Sequence, residues 1–277
     1  MSLYLRSAAF IPIEGIAVSS SSDVSTAFSD IARIIRRQTD SVLDAAPEIK
    51  DSQIDRHFLC STMIELPLSS SAISEQDFNY GDNARAPVTS FVNTYECASW
   101  GYSLRHYLTQ NPESRYLLVS ILDANVLDLT FWRENENWGD SGFGLCTLLF
   151  EVRDLDSINL NASCTITYNT TPEFATVIRK MAVGRDDLTL SLPFFPENIR
   201  QIFSKLLSAN QKLPDLHDRW GHCFGSDPWL NIICQGAEKG FDKQENFLAC
   251  SIALNGYYCT VEVTVDEQSH FYLMEAA

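Results

Sequence analysis

The sequence predicts an α/β protein whose second half repeats the element succession of the first. Near-continuous apolar runs of strand length stand at Tyr116–Asp123 (YLLVSILD) and at 146–152 (CTLLFEV). This is the pattern of strands buried on both faces, as in a mostly parallel sheet covered by helices. Amphipathic stretches with helical spacing stand at 24–45 and 197–209, each with one apolar face to offer such a sheet. The two kinds of segment alternate along the chain, which places it in the α/β class.

In chain order, residues 3–10 (LYLRSAAF) read as a short strand. Residues 24–45 read as a helix, because Val24, Phe28, Ile31, Ile34, Ile35, Val42 and Leu43 recur mostly at three- and four-residue steps. Residues 54–62 (IDRHFLCST) form a strand, and 67–90, rich in Ser, Pro, Gly and Asn, a loop. Phe91 and Val92 begin a strand that leads through Cys97 into a helix carrying Leu104, Tyr107 and Leu108, which Asn111 and Pro112 end. The strand 116–123 follows, then a polar loop over 124–138 with Trp132 and Trp138, then the strand at 146–152. In the second half, Cys164–Tyr168 reads as a strand and Pro172–Ala182 as a helix started by Thr171 and Pro172. Asp187–Phe194 is a strand. The helix at 197–209 puts Ile199, Ile202, Phe203 and Leu206 on one face. Asp227–Glu238 is a helix capped by Ser226 or Asp227, with Pro228 in its first turn. Leu248–Asn255 and Tyr258–Val265 close the chain as two strands joined near Gly256. The succession divides into halves at 1–155 and 156–277.

The bulk numbers narrow the function. The chain has 277 residues, 45% hydrophobic and 20% charged, enough for one large domain or two fused halves. It has no run of 18 apolar residues, and its first residues lack a long apolar signal core, so a cytoplasmic location is expected. Eight scattered cysteines, several inside apolar runs and none in a CxxC pair, suit reduced thiols better than a disulfide framework. His222 and Cys223 are adjacent and Cys234 lies eleven residues on, but no second ligand pair follows, so no metal site is expected. A net charge of −16 argues against a nucleic-acid binder, which needs a basic face to neutralise phosphates.

Among the cysteines, Cys97 stands apart. It sits at a strand-to-helix junction, where backbone N–H groups and the helix dipole favour a thiolate. Four segments then resemble, in order and over nearly the whole chain, the ketoacyl-acyl-carrier-protein synthase III family of the thiolase-like superfamily. ECASWGYSL at 96–104 resembles the family's nucleophile segment, Ala-Cys-Ala-Gly followed by a helix. WGDSGFGLCTLL at 138–149 resembles its Phe-Gly-Asp-Gly-Ala-Gly-Ala segment. DRWGHCFGSDP at 218–228 resembles Gly-Asn-Thr-Ser-Ala-Ala-Ser with the residues before it, and SIALNGYYCTVEV at 251–263 its closing glycine-containing hairpin. Any one of these is weak; four in their expected β/α contexts are fairly specific.

The resemblance implies a thiolase-like fold of two pseudo-repeated β/α halves in an αβαβα layered arrangement. It implies an acyl group carried on Cys97, taken from acyl-CoA or an acyl carrier protein as substrate, with no separate cofactor. The oxyanion donors it implies are the amides of Cys97 and Gly256, the latter within a residue. Gly139, Gly142 and Gly144 read as close-packing glycines. The departures bear on the reaction. Where the family has a histidine in Pro-His-Gln-Ala-Asn, this chain has PFFPEN at 193–198, so Phe194 or, in the favoured register, Phe195 marks the missing catalytic His. Where the family has the Asn of Gly-Asn-Thr-Ser, this chain has His222. In the family both polar side chains hold the carbonyl that becomes an enolate on decarboxylation, and a phenyl ring donates no hydrogen bond. The Arg-x-Gly-Ile insertion of the family is also absent between the first strand and first helix.

Two functions follow. One is a ketosynthase III-like acyltransferase, with a Cys97–His222 dyad passing an acyl group to a carbon, oxygen or nitrogen nucleophile in secondary-metabolite or fatty-acid-like biosynthesis. The other is a non-catalytic partner subunit, similar to the small subunit of heterodimeric alkylquinolone synthases. Phe195, the missing insertion and Glu96, whose carboxylate beside the thiol tends to raise its pKa, favour the second. The resemblance implies a homodimer, or a heterodimer with a longer homologue. Trp100, Trp132 and Phe195 could line an acyl pocket, and Arg179, Lys180 and Arg200 could meet an acidic carrier protein. Asp218 and Arg219 could pair locally. His57, His106, His217 and His270 read as structural or exposed.

Overall fold

The computed structural model describes residues 3–16, 24–64, 84–110, 112 and 114–276, with the side chain of Ser25 left out. Most of the loop expected over 67–90 therefore lies outside the described residues. The strands are β1 (Leu3–Pro12), β2 (Ile54–Cys60), β3 (Ser90–Val92), β4 (Tyr116–Asp123), the short pair β5 (Glu134–Asn135) and β6 (Gly139–Asp140), and β7 (Gly144–Val152). They continue as β8 (Leu160–Cys164), β9 (Leu188–Ser191), β10 (Glu245–Ile252), β11 (Tyr257–Val265) and β12 (His270–Leu273). The helices are α1 (Val24–Asp44), α2 (Ser99–Thr109), α3 (Thr130–Arg133), α4 (Thr170–Ala182), α5 (Glu197–Leu206), α6 (His217–Trp220) and α7 (Asp227–Lys239).

Ten strands form one sheet, in the order β3-β2-β4-β7-β1-β11-β10-β9, with β12 beside β1 and β8 beside β11. A single pairing, Tyr4 with Thr264, bridges β1 and β11, so the sheet is two sheets joined at one point. It is mixed rather than mostly parallel. β7 runs antiparallel between β1 and β4, and β11 antiparallel between β10 and β8. An apolar run reports burial on both faces and carries no record of strand direction. β7 reverses because residues 124–143 return the chain without a long crossover helix.

The helices supply the layers. α2 packs on β2 and β3 of one sheet and on β8 and β11 of the other. α7 likewise touches β1 and β12 on one side and β9 and β10 on the other. These two helices form a central layer, and their meeting point is Trp100 against Trp229, edge to face at 4.9 Å, with Phe150 of β7 a further 5.4 Å from Trp229. α1 covers the outer face of β1 and β7, and α4 with α5 covers β9, β10 and β11 through Phe174 and Phe203. This is the helix–sheet–helix–sheet–helix stack expected of the thiolase-like fold. Trp229 is fully buried at its centre, so Trp229→Ala is expected to lower unfolding stability by about 3–5 kcal/mol, read from a denaturant titration. A loss under about 1 kcal/mol would mean the central layer is not packed this way.

Three sequence expectations change. The strand placed at Cys164–Tyr168 is β8, four residues earlier, and 165–168 is a loop. There the Glu173 carboxylate accepts the N–H groups of Ile166 and Thr167 at 2.8 and 2.9 Å, so these donors serve a carboxylate instead of a ladder. The strand expected to Phe194 stops at Ser191. β12 was not foreseen; its four residues pair parallel with Ser7–Phe10, and only Phe271 is buried. Among the described residues no helix is long and apolar enough to cross a membrane.

Candidate active site

Strands β2, β4, β9 and β10 deliver their carboxyl ends to one region, where ligands collect in open α/β sheets. Thr62 follows β2, Asp123 ends β4, Phe195 follows β9 and Ala253–Asn255 follow β10. Two further loops lead into the central helices, and they are built alike. Glu96 takes φ +47° and opens a 3-10 turn, Glu96–Ala98, that runs into α2. Phe224 takes φ +53° and opens a 3-10 turn, Phe224–Ser226, that runs into α7. Holding a non-glycine residue there costs about 1–2 kcal/mol, and the same device at both positions shows a local two-fold repeat that the residues do not. The turns pack against each other so closely that a Cβ on Gly225 would come 3.0 Å from the Cys97 carbonyl oxygen. Gly142 and Gly144 are close-packed too, against the Trp220 carbonyl and the Phe10 ring.

These loops enclose a cavity of about 550 Å³. Cys97, His222 and Phe195 all line it. Cys97 packs with Met63, Trp138 and Phe224, and the His222 ring lies 5.0 Å from Phe224 and 6.0 Å from Trp138. Phe195 is the phenylalanine that faces the cavity, with its ring stacked on His222 at 5.8 Å and 16°, while Phe194 belongs to the main core. Trp132 lines the cavity as expected, but Trp100 does not: it is buried, and its indole N–H donates to Ser251 at 2.9 Å.

His222 is held from behind. Its Nδ1 lies 2.6 Å from an Asp227 carboxylate oxygen and 2.9 Å from the Phe194 carbonyl. Both neighbours are acceptors, so Nδ1 carries the proton and Nε2 is the nitrogen left for the cavity. Asp227 is itself fixed by the N–H groups of Cys223 at 2.6 Å and Phe194 at 2.9 Å. Burial opposes a charge on His222, yet the Asp227 carboxylate outweighs it and holds the imidazole pKa above its usual value. The sequence marks Asp227 only as a helix cap. The readable signal was a carboxylate five residues after the histidine, at the first helical position.

Cys97 departs from the expected activated thiolate. Burial first, then the Asp123 carboxylate, and further on those of Glu96 and Asp227, push its thiol well above the ordinary range. The Thr62 hydroxyl, donating to Sγ at 3.7 Å, opposes them only partly. The dipole of α2 is outweighed by low dielectric and three nearby acids.

Asp123 is the second residue missed by sequence. One oxygen accepts the Thr62 N–H at 2.6 Å and the Ser61 hydroxyl at 3.3 Å; the other is buried without a hydrogen-bond partner among the described residues. Burial pushes its pKa up to about 7. A carboxyl whose folded pKa exceeds its unfolded one binds the proton longer when folded, so its ionisation destabilises the fold. The cost is absent below about 3.8, grows as pH rises and is complete above about 7. Asn mimics the protonated acid. Asp123→Asn is therefore expected to be more stable than the parent at pH 8, by on the order of 2–4 kcal/mol, and to show no such gain at pH 4. Thermal unfolding at the two pH values checks this.

The closing hairpin corrects another expectation. Gly256 takes φ +86°, but its N–H donates to the Ala253 carbonyl at 3.0 Å, so it is not free to meet an oxyanion. The hairpin donors aimed at the Cys97 turn are those of Leu254 and Asn255, and both hold the Glu96 carboxylate. Elsewhere, Asp218 pairs with Arg200 and Arg219 with Glu238, not with each other. Arg200 also meets Asp215 and Glu197, and Arg179 and Lys180 are exposed near the far end of α4 from the cavity. His57 is structural: it bonds the Ala86 carbonyl and Ser120, and burial holds its pKa down to about 4. His217 meets the Trp138 carbonyl, His106 is exposed, and His270 begins β12.

No protein-family model matches the sequence, and no curated protein matches it. Solved structures do. An acyltransferase, ChlB3, superposes with a TM-score of 0.66 at 10% identity, covering 96% of this chain and 98% of its own. A 3-oxoacyl-(acyl-carrier-protein) synthase from Burkholderia xenovorans LB400 superposes with a TM-score of 0.64 at 9% identity, covering 100% and 97%. The 3-oxoacyl-(acyl-carrier-protein) synthase III of Pseudomonas aeruginosa PAO1 superposes with a TM-score of 0.59 at 11% identity, covering 96% and 99%. The chain has the thiolase-like ketosynthase III fold over nearly its full length.

Proposed function

We propose that this chain is an acyltransferase that carries an acyl group on Cys97 and passes it to an oxygen or nitrogen nucleophile. The observation that supports it most is the Asp227–His222 contact, 2.6 Å, behind an imidazole that shares one cavity with Cys97. Nucleophile, base and orienting acid are the parts of a covalent acyl-transfer site. Because the thiol is held neutral, its proton leaves as it attacks. His222 Nε2 takes it, the sulfur–carbon bond forms, and the donor thiolate departs with that proton. In the second half His222 removes the proton of the acceptor, which attacks the Cys97 thioester, and returns it to Sγ. The Cys97 amide is the oxyanion donor this reading retains, since the hairpin donors are committed to Glu96.

Acyl-CoA or an acyl carrier protein is the donor class, by the likeness to acyl-carrier-protein synthases. Decarboxylative condensation fits less well, because Phe195 offers no donor to an enolate and one such loss costs about 10²–10³ in rate. The test is intact-protein mass spectrometry after exposure to acyl-CoA thioesters of several chain lengths. A mass gain equal to the acyl group, mapped to Cys97, supports the proposal; no adduct with any donor, alone or with a longer homologue added, overturns it. The acid-ringed, buried thiol favours a second reading, a non-catalytic subunit completing a heterodimer, and that negative result would select it.

A further inference from the structure

The cavity beside Cys97 has an electrostatic character that the acyl donor does not explain. Among its described lining residues there is one carboxylate, Glu96, and no Lys or Arg; the one basic side chain is His222, whose imidazolium Asp227 favours. The residues outside the described set include neither Lys nor Arg, so they bring no basic side chain to it. Trp132, Trp138, Phe195 and Phe224 line it, together with the fully exposed Tyr168. Trp132 and Trp138 stack at 6.0 Å and 17°, with Phe224 edge-on to both at 5.9 and 5.8 Å. The N-terminal end of α4 also reaches the cavity, through Thr170 and Thr171, but the carboxylate of Glu173 in its first turn already meets the Ile166 and Thr167 N–H groups beside it. Behind the cavity stand two more acids, Asp123 and Asp227.

Aromatic rings and a carboxylate that line one cavity can together select a cation: the ring quadrupoles attract it, and the carboxylate, although burial raises its pKa, supplies negative charge when ionised. Glu96 is held for this role. The Leu254 and Asn255 N–H groups fix its carboxylate, and its strained backbone places it immediately before the nucleophile.

Resting on the acyl-transfer reading of this site, we infer that the acceptor is a cationic amino alcohol. Its ammonium sits between Glu96 and the aromatic wall, and its hydroxyl attacks the Cys97 thioester. The hydroxyl proton goes to His222 Nε2 and then to Cys97 Sγ, so the products are an ester and the free thiol.

The test uses two isosteres, choline and uncharged 3,3-dimethylbutan-1-ol, titrated calorimetrically into the unloaded full-length protein at 0.15 M salt. Choline is expected to bind about tenfold more tightly. Glu96→Gln keeps an oxygen for the Leu254 and Asn255 N–H groups while removing the charge, and is expected to bring the affinity ratio close to one. Equal or tighter binding of the neutral isostere by the parent protein would overturn the inference, as would a preference that Glu96→Gln leaves intact. Acyl loading of Cys97 is measured separately by mass. Loading without choline preference defeats the acceptor class alone, and choline preference without loading defeats the acyl-transfer chemistry alone.

Discussion

Cys97→Ala is expected to abolish the covalent acyl adduct and to lower acyl transfer by on the order of 10³-fold or more, since Cys97 is the one thiol among the described residues that line the cavity. The fold should survive. The side chain is 6% exposed and loses one sulfur from a small cluster with Met63, Trp138 and Phe224, at about 1 kcal/mol. An unchanged circular dichroism spectrum with no adduct by mass is the expected pair of results. Transfer activity retained in the alanine variant would move the acyl carrier away from Cys97. Because burial and the neighbouring acids hold the thiol protonated, iodoacetamide should alkylate Cys97 slowly at neutral pH, in contrast to a preformed thiolate.

The second large effect belongs to His222 and its partner. His222→Ala removes the base for both half-reactions and is expected to lower transfer by about 10²–10⁴-fold. Asp227→Asn tests the charge relation directly. In the parent protein the Asp227 carboxylate keeps the imidazolium to higher pH than usual, so the free base, and with it the rate, should rise through a limb above pH 6.5. With the carboxylate gone, burial is opposed only by the Phe194 carbonyl and the Asp123 charge, and the imidazole pKa falls. The limb should then move to lower pH, while the plateau falls because only the Phe194 carbonyl is left to hold the proton on Nδ1. A limb that stays in place in Asp227→Asn would show that His222 is not the titrating base.

Most strands and helices were legible because burial on both faces or on one face leaves a periodic record, as in Tyr116–Asp123 and Val24–Asp44. What was not legible depends on contacts across the chain. The reversal of β7 has no trace in its apolar run. Residues 165–168 look like a strand because Ile166 and Tyr168 are apolar, yet their backbone donors are drawn off by Glu173. At the site, the sequence pointed to Cys97, His222 and Phe195 by their motif positions, and all three face one cavity. The electrostatics around them could not be read in one dimension. Asp123 comes from β4 and Asp227 from the start of α7, and both reach the cysteine only through the fold. The hairpin register was off for a similar reason: which amide faces the cavity depends on the turn, and Gly256 turns its own inward to Ala253.

The central claim is that the thioester on Cys97 is consumed by a heteroatom nucleophile and not by a decarboxylating one. The direct measurement is a chase. The protein is loaded with a short acyl group, freed of donor, and split between an alcohol acceptor such as choline and a malonyl thioester, with the adduct followed by intact mass and released carbon dioxide counted. The alcohol is predicted to discharge Cys97 and yield the ester, while the malonyl thioester leaves the adduct in place and releases no carbon dioxide. Discharge by the malonyl thioester with one carbon dioxide per acyl group would contradict the account.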